Sequence, residues 1–113
     1  MSVGMSVPSF KGVYKITMPN VNTISDKKEK EAVSEMAINT IVMGANSSIE
    51  APRVNKDDSS IYFKINDKDD KNFEKGFNEI LEYCNKNFNT DLAKKVYMQK
   101  VSEAEFRKAE PLE

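Results

Sequence analysis

At 113 residues the chain is long enough to close one core and too short for two domains of ordinary size. Hydrophobic residues make up 39% and charged residues 31%, the balance of a folded globular chain rather than a disordered one. The formal net charge of -1 supplies no global field toward nucleic acid or an anionic membrane, so a charge-driven partner would have to be drawn by local asymmetry.

Missing residue types exclude more. There is no histidine, which removes Ser-His-Asp and Cys-His catalysis together with every His-based metal site. The single cysteine, Cys84, makes neither an intramolecular disulfide nor a structural zinc site, and its place on the apolar side of a helix reads as a buried, inert thiol. No glycine-rich phosphate or dinucleotide motif is present. No apolar run approaches the roughly 18–20 residues of a membrane span. The N-terminal "MSVGMSVPSF" has neither the basic start nor the apolar centre of a signal peptide, so a cytoplasmic location is expected. Residues 1–9 repeat a start-like triplet and read as a flexible segment of partly added origin, and the terminal "LE" resembles a cloning scar. Lysine far outnumbers arginine and asparagine is frequent, a usage that fits an AT-rich bacterial or phage coding source.

In chain order, "FKGVYKITM" alternates, with Phe10, Tyr14, Ile16 and Met18 on one face and Lys11, Val13, Lys15 and Thr17 on the other. Period two predicts a strand with one buried face, ended by Pro19 and Asn20. The loop after it, "PNVNTIS", carries no Arg, Gly or Cys, so no phosphate or metal loop is readable there. A helix follows, capped by Ser25, or by Thr23 with Asp26 three residues on. Its core stripe is Val33, Met36, Ala37, Thr40, Ile41 and Gly44. Ile38, Val42 and Met43 widen the stripe, which predicts a more buried C-terminal end, and Gly44 or Asn46 supplies the stop.

"SSIEAPRV" predicts a short strand with Ile49 and Ala51 inward, and Pro52, which has no N–H, places that strand at a sheet edge. After an "NKDD" turn, "SSIYFKIN" is a strong strand, Ile61, Phe63 and Ile65 inward, Tyr62 and Lys64 outward. "INDKDDKNFEKGF" looks at first like a calcium loop. Counted from Asp67, however, the fifth and sixth positions are Lys71 and Asn72 and the twelfth is Asn78, so the ligand pattern fails. Asp67, Asp69 and Asp70 instead suit a helix N-terminus, where carboxylates complement free N–H groups and the dipole. Phe73, Phe77, Ile80, Leu81, Cys84 and Phe88 make the stripe of that helix. A polar loop leads to "AKKVYMQKV", a last strand with Val96 and Met98 inward, and "SEAEFRK" predicts a short helix with Ser102 and Glu105 as a capping box.

The order strand, helix, strand, strand, helix, strand predicts an α+β domain over residues 10–101, followed by a short helix or tail over 102–113. It matches a ferredoxin-like split βαβ plait (βαββαβ), a four-stranded antiparallel sheet with two helices on one face, the first and third strands central. The outer sheet face would then present Val13 and Lys15 between Tyr62 and Lys64 on one side and Lys95, Tyr97 and Gln99 on the other, with Lys11 beside them. The helices carry Glu29, Glu31, Glu35, Glu74, Glu79 and Glu82.

Three readings of that basic, aromatic face compete. The terminal segment, with Phe106 and Leu112, covers it or it is ordinary wetted surface; it docks a protein or a second copy through Tyr62 and Tyr97; or it stacks single-stranded nucleic acid on the tyrosines, against the acidic pI near 5.6. The expected function is a non-catalytic interaction or regulatory module, self-associating or binding a protein through the sheet face or an edge strand. The binding set is Lys15, Tyr62, Lys64, Lys95 and Tyr97, with no catalytic residue, cofactor, metal or membrane. Single-stranded nucleic-acid binding is the alternative, ahead of a carboxylate-based enzyme.

Overall fold

Alternation over the first apolar run produces a strand, β1 (Phe10–Thr17), that becomes the centre of the sheet. The structure, a computed structural model, describes residues 10–112. The segment 1–9 and the side chains of Phe10 and Lys11 lie outside the described residues. Tyr14, Ile16 and Met18 are buried on the inner face, as the period requires, and so is Val13 on the outer one.

The first helix, α1, spans Lys27–Ser47. Its cap is Asp26 rather than Ser25 or Thr23: the Asp26 carboxylate accepts from the Glu29 N–H at 2.8 Å, while the Thr23 hydroxyl donates to the Asn20 carbonyl in the preceding 3-10 turn. Ala32, Val33, Met36, Thr40 and Gly44 are buried. The expected widening toward the C-terminal end holds for Met43, which packs against the core, but not for Ile38 and Val42, which are 59% and 56% exposed. At 3.6 residues per turn they fall opposite Met36 and Thr40, and no layer lies on that side. Gly44 is not a stop either. The helix continues through it, and a Cβ at this position would run into the Phe63 ring. Glycine is needed there for close packing of helix on sheet.

The chain then runs antiparallel beside the strand that follows. Ser48 bridges to Ile65, and the Ile49 N–H donates to the Lys64 carbonyl at 2.9 Å. The second strand, β2 (Arg53–Asn55), begins only after Pro52, several residues later than the sequence reading placed it. The reason is the missing donor at Pro52 and the early bridge, which leave residues 53–55 to carry the ladder. The next strand, β3 (Ser60–Asn66), is buried almost throughout, and it pairs antiparallel with β1 in the register Tyr14↔Phe63 and Ile16↔Ile61.

At the end of β3, Asn66 organises the start of the second helix, α2 (Asp70–Phe88). Its side-chain oxygen accepts from the Asp69 N–H at 2.7 Å, and its amide donates to the Ser47 carbonyl and the Asp69 carboxylate. Asp69 occupies the cap position without a side-chain cap bond, and Asp70 in the first turn accepts from the Tyr14 hydroxyl at 2.6 Å. The aspartates therefore crowd the helix start as expected, although Asn66 closes the turn. Phe73, Phe77 and Cys84 are buried, with Phe73 4.9 Å from the Tyr14 ring and 5.9 Å from Phe63. Asn89, at φ 55°, ends the helix in the left-handed conformation common at such ends.

A 3-10 turn at Leu92–Lys94 takes residues expected in the last strand, so β4 starts later and spans Tyr97–Val101. A third helix, α3 (Glu103–Lys108), follows directly, with the Ser102 hydroxyl accepting from the Glu105 N–H. The chain then adds a fifth strand, β5 (Glu110–Pro111), paired antiparallel with β2, and the Leu112 N–H donates to the Pro52 carbonyl. The fold is α+β, three helices with an antiparallel sheet ordered β4-β1-β3-β2-β5 among the described residues. The expectation of four strands with β2 outermost is corrected by β5, which closes that edge. No helix among the described residues is long and apolar enough to cross a membrane.

Gly44→Ala tests the helix-to-sheet contact. Alanine gains roughly 1 kcal/mol of intrinsic helix propensity, but overpacking against a fixed ring costs about 1–3 kcal/mol. The urea midpoint should fall. A higher midpoint would show that the Phe63 ring can give way.

Candidate functional site

The outer face of the sheet is a second core. Val13, Tyr62 and Phe106 are all buried there, with Val101 and Ala109 packed against them. Phe106 of α3 makes this possible: the six-residue helix is charged at every other position except Ala104 and sets its one large apolar side chain on the β1 and β3 surface. Arg53 locks it from the β2 side. The guanidinium lies 5.0 Å over the Phe106 ring and donates to the Arg107 and Ala109 carbonyls at the end of the helix.

Polar contacts fix the rest. Lys64 Nζ donates to Glu50 Oε2 at 2.9 Å and Glu103 Oε2 at 3.0 Å, and its side chain is only 7% exposed. Arg107 holds the same Glu103 carboxylate at 2.7 Å. Lys15 pairs with Asp58 at 2.9 Å and with Glu105 at 3.4 Å, and the Tyr62 hydroxyl donates to Glu105 at 3.0 Å. Two carboxylates of one short helix thus reach two sheet lysines on either side of Phe106.

Titration directions follow from these contacts. Burial alone would push the Lys64 ammonium down, but Glu50 and Glu103 raise it above its ordinary value. The hydrogen bond from Lys64 holds the Glu50 carboxyl below its usual range, and Lys64 followed by Arg107 does the same to Glu103. Asp58 lies low although burial opposes it, because Lys15 and Ser60 stabilise the anion, and the hydrogen bond to Asp58 raises Lys15. Burial, then the bond to Glu105, pushes the Tyr62 hydroxyl up.

Of the five sequence-chosen residues, Lys15, Tyr62 and Lys64 come together, but beneath α3 and already partnered. Lys95 stands apart. It closes the 3-10 turn before β4, so strand alternation does not reach it, and its Nζ meets Glu29 of α1 at 2.6 Å on the helix side. Tyr97 remains open, 49% exposed, opposite Thr17 of β1. Sequence reasoning missed Glu50, Arg53, Asp58, Glu103 and Glu105 as the partners. The run "SEAEFRK" held the available signal, one aromatic inside a charged helix.

Tyr97 borders an open groove of about 380 Å3 at one end of the sheet, shared with Thr17, Met18, Asn20, Asp57 and Lys95. A narrower crevice of about 260 Å3 runs under α3, lined by Asn55, Tyr62, Glu105, Lys108 and Glu110. Among the described residues no group of three or more His, Cys, Asp or Glu side chains is placed to hold a metal ion.

The two sheet edges differ. β4 and β5 each pair with one neighbour among the described residues, but β5 is only Glu110–Pro111 while β4 presents five residues. Lysines often guard such an edge. Lys100 leans away from it instead: its Nζ sits 5.4 Å from the centre of the Tyr14 ring, and its stem lies over Gly12.

Comparison of the chain with protein-family models, curated proteins and solved structures finds no match.

The depressed carboxyls give a pH prediction. Their contribution to stability is present above the unfolded carboxyl values, about 3.9–4.3, and is lost as pH falls through the lower folded values. The melting temperature should stay nearly level from about pH 8 to pH 5 and drop below about pH 4. Glu103→Gln should make that drop smaller, as measured by calorimetry across the series. An equal drop in both proteins would show that Glu103 does not carry it.

Proposed function

We propose that the domain is a non-catalytic protein-interaction module that docks its partner by strand addition along β4, with Tyr97 as the side-chain anchor. One observation carries this reading: of the two border strands among the described residues, β5 is two residues long and includes Pro111, whereas β4 offers five residues with no strand on its outer side. An extended segment added there gains main-chain hydrogen bonds, and alternate side chains on the domain give specificity. Tyr97 is suited to that role, being large, half exposed and amphipathic. The β1–β3–α1–α2 layers with β2 and β4 are read as a ferredoxin-like plait, to which the α3–β5 strap is appended.

The same geometry favours a protein over a single nucleic-acid strand. Three of the lysines chosen from the sequence, Lys15, Lys64 and Lys95, are each within 3.0 Å of a carboxylate oxygen, and Tyr62 is buried. A phosphate backbone would have to displace acidic groups that the fold itself supplies.

Selection against a library of random extended peptides tests the reading. Binders should protect the β4 amides from hydrogen exchange, and Tyr97→Ala should weaken them by about 2 kcal/mol or more, as for an interface anchor. Binders that leave β4 unprotected and protect the exposed Ile38 and Val42 surface of α1 would reject strand addition.

A further inference from the structure

We infer that β4 is self-complementary and that its partner is the β4 strand of a second copy, paired antiparallel about a two-fold axis through Gln99. The inference rests on β4 being the docking edge and names what docks there. β4 has five residues, with Gln99 at its centre. Only the register centred on Gln99 pairs all five, setting Tyr97 opposite Val101 of the second copy, Met98 opposite Lys100, and Gln99 opposite itself.

Side-chain chemistry agrees with that register. In antiparallel pairs directly opposed residues point to the same face. The outer face then carries an apolar Tyr97–Val101 contact on each side of the two-fold, with two Gln99 amides between them able to donate and accept mutually. On the inner face the flexible Met98 lies along the Lys100 stem. That stem is already folded over Gly12 and Tyr14, so the ammonium is carried back from the joint. A shift of the axis by one residue toward the C-terminus would set Lys100 against Lys100, like charges directly opposed. The opposite shift pairs only three strand residues. Closed two-fold pairing also favours ending at two copies, because it uses the β4 border of both, and the other border among the described residues, the two-residue β5 with Pro111, offers little ladder to a third.

A five-residue ladder is small beside the roughly 1,200 Å2 that stable interfaces bury, so the dimer should be weak and concentration-dependent. Sedimentation equilibrium over about 10 μM to 1 mM covers the range of such contacts. The wild type should shift from monomer toward dimer, and protection of the outer β4 amides should rise with concentration, a readout that requires no substitution. Gln99 is exposed, so Gln99→Lys and Gln99→Glu should fold. Each alone sets like charges across the axis, while a mixture sets opposite ones, and the mixture should associate about tenfold more tightly than either variant alone. A wild type that stays monomeric throughout overturns the self-pairing, while strand addition of another chain is still decided by peptide protection of β4. A dimer indifferent to both Gln99 changes and to mixing also overturns it.

Discussion

A lysine set into an almost water-free sheet face determines how the last part of the chain must run. An unpaired ammonium at Lys64 would carry a desolvation penalty of several kcal/mol. Glu50, from the segment before β2, supplies one carboxylate, and Glu103, at the first turn of α3, supplies the other. With Glu103 fixed, the helix direction sets Phe106 over Val13 and Tyr62, and the chain leaves the helix beside β2, where β5 forms. The hydrophobic seat supplies most of the attraction. The ion pairs decide where the helix lies, since a shifted α3 would leave Lys64 without one of its partners. Burying a charge in this way is a weak source of net stability and a strong source of register.

Legibility in the sequence followed the strength of each period. β1, β3 and α2 could be read because their apolar residues recur without interruption and their neighbours are polar. α1 was harder: Ile38 and Val42 extend its apolar count without belonging to its stripe, so composition suggested a wider buried face than phase gives. Gly44 was ambiguous because the same residue ends helices and admits close neighbours, and only the position of Phe63 distinguishes the two. β2 and β5 gave almost no signal. Each is two or three residues long, and each takes its strand character from a neighbour rather than from local propensity.

The surroundings of the five chosen residues were not legible for a different reason. Alternation correctly put Lys15, Tyr62, Lys64 and Tyr97 on one face, but a face is not a surface until the whole chain has been placed. Three of those residues read as basic and aromatic because their partners lie 14 to 90 positions away: Lys64 meets Glu50 and Glu103, and Lys15 meets Asp58 and Glu105. A sequence with nearly equal numbers of acids and bases, 18 and 17, does not announce which of them will meet. The lesson of Lys95 is narrower, since one 3-10 turn was enough to remove it from the strand phase.

Strap and edge are consequences of the same arrangement. The segment from Ser102 to Leu112 covers the β1–β3 half of the outer face with α3 and closes the β2 edge with β5, so both surfaces that a bare four-stranded sheet would offer on that side are satisfied internally. What it does not reach is the opposite border, Tyr97 and Gln99 on β4, because only Ser102 separates that strand from α3, which turns inward across the sheet. A helix joined so closely to an edge strand cannot also cover that edge. The connection at Ser102 therefore accounts for both results: it delivers Phe106 to its seat, and it leaves β4 as the described border of the sheet with backbone groups still to pair.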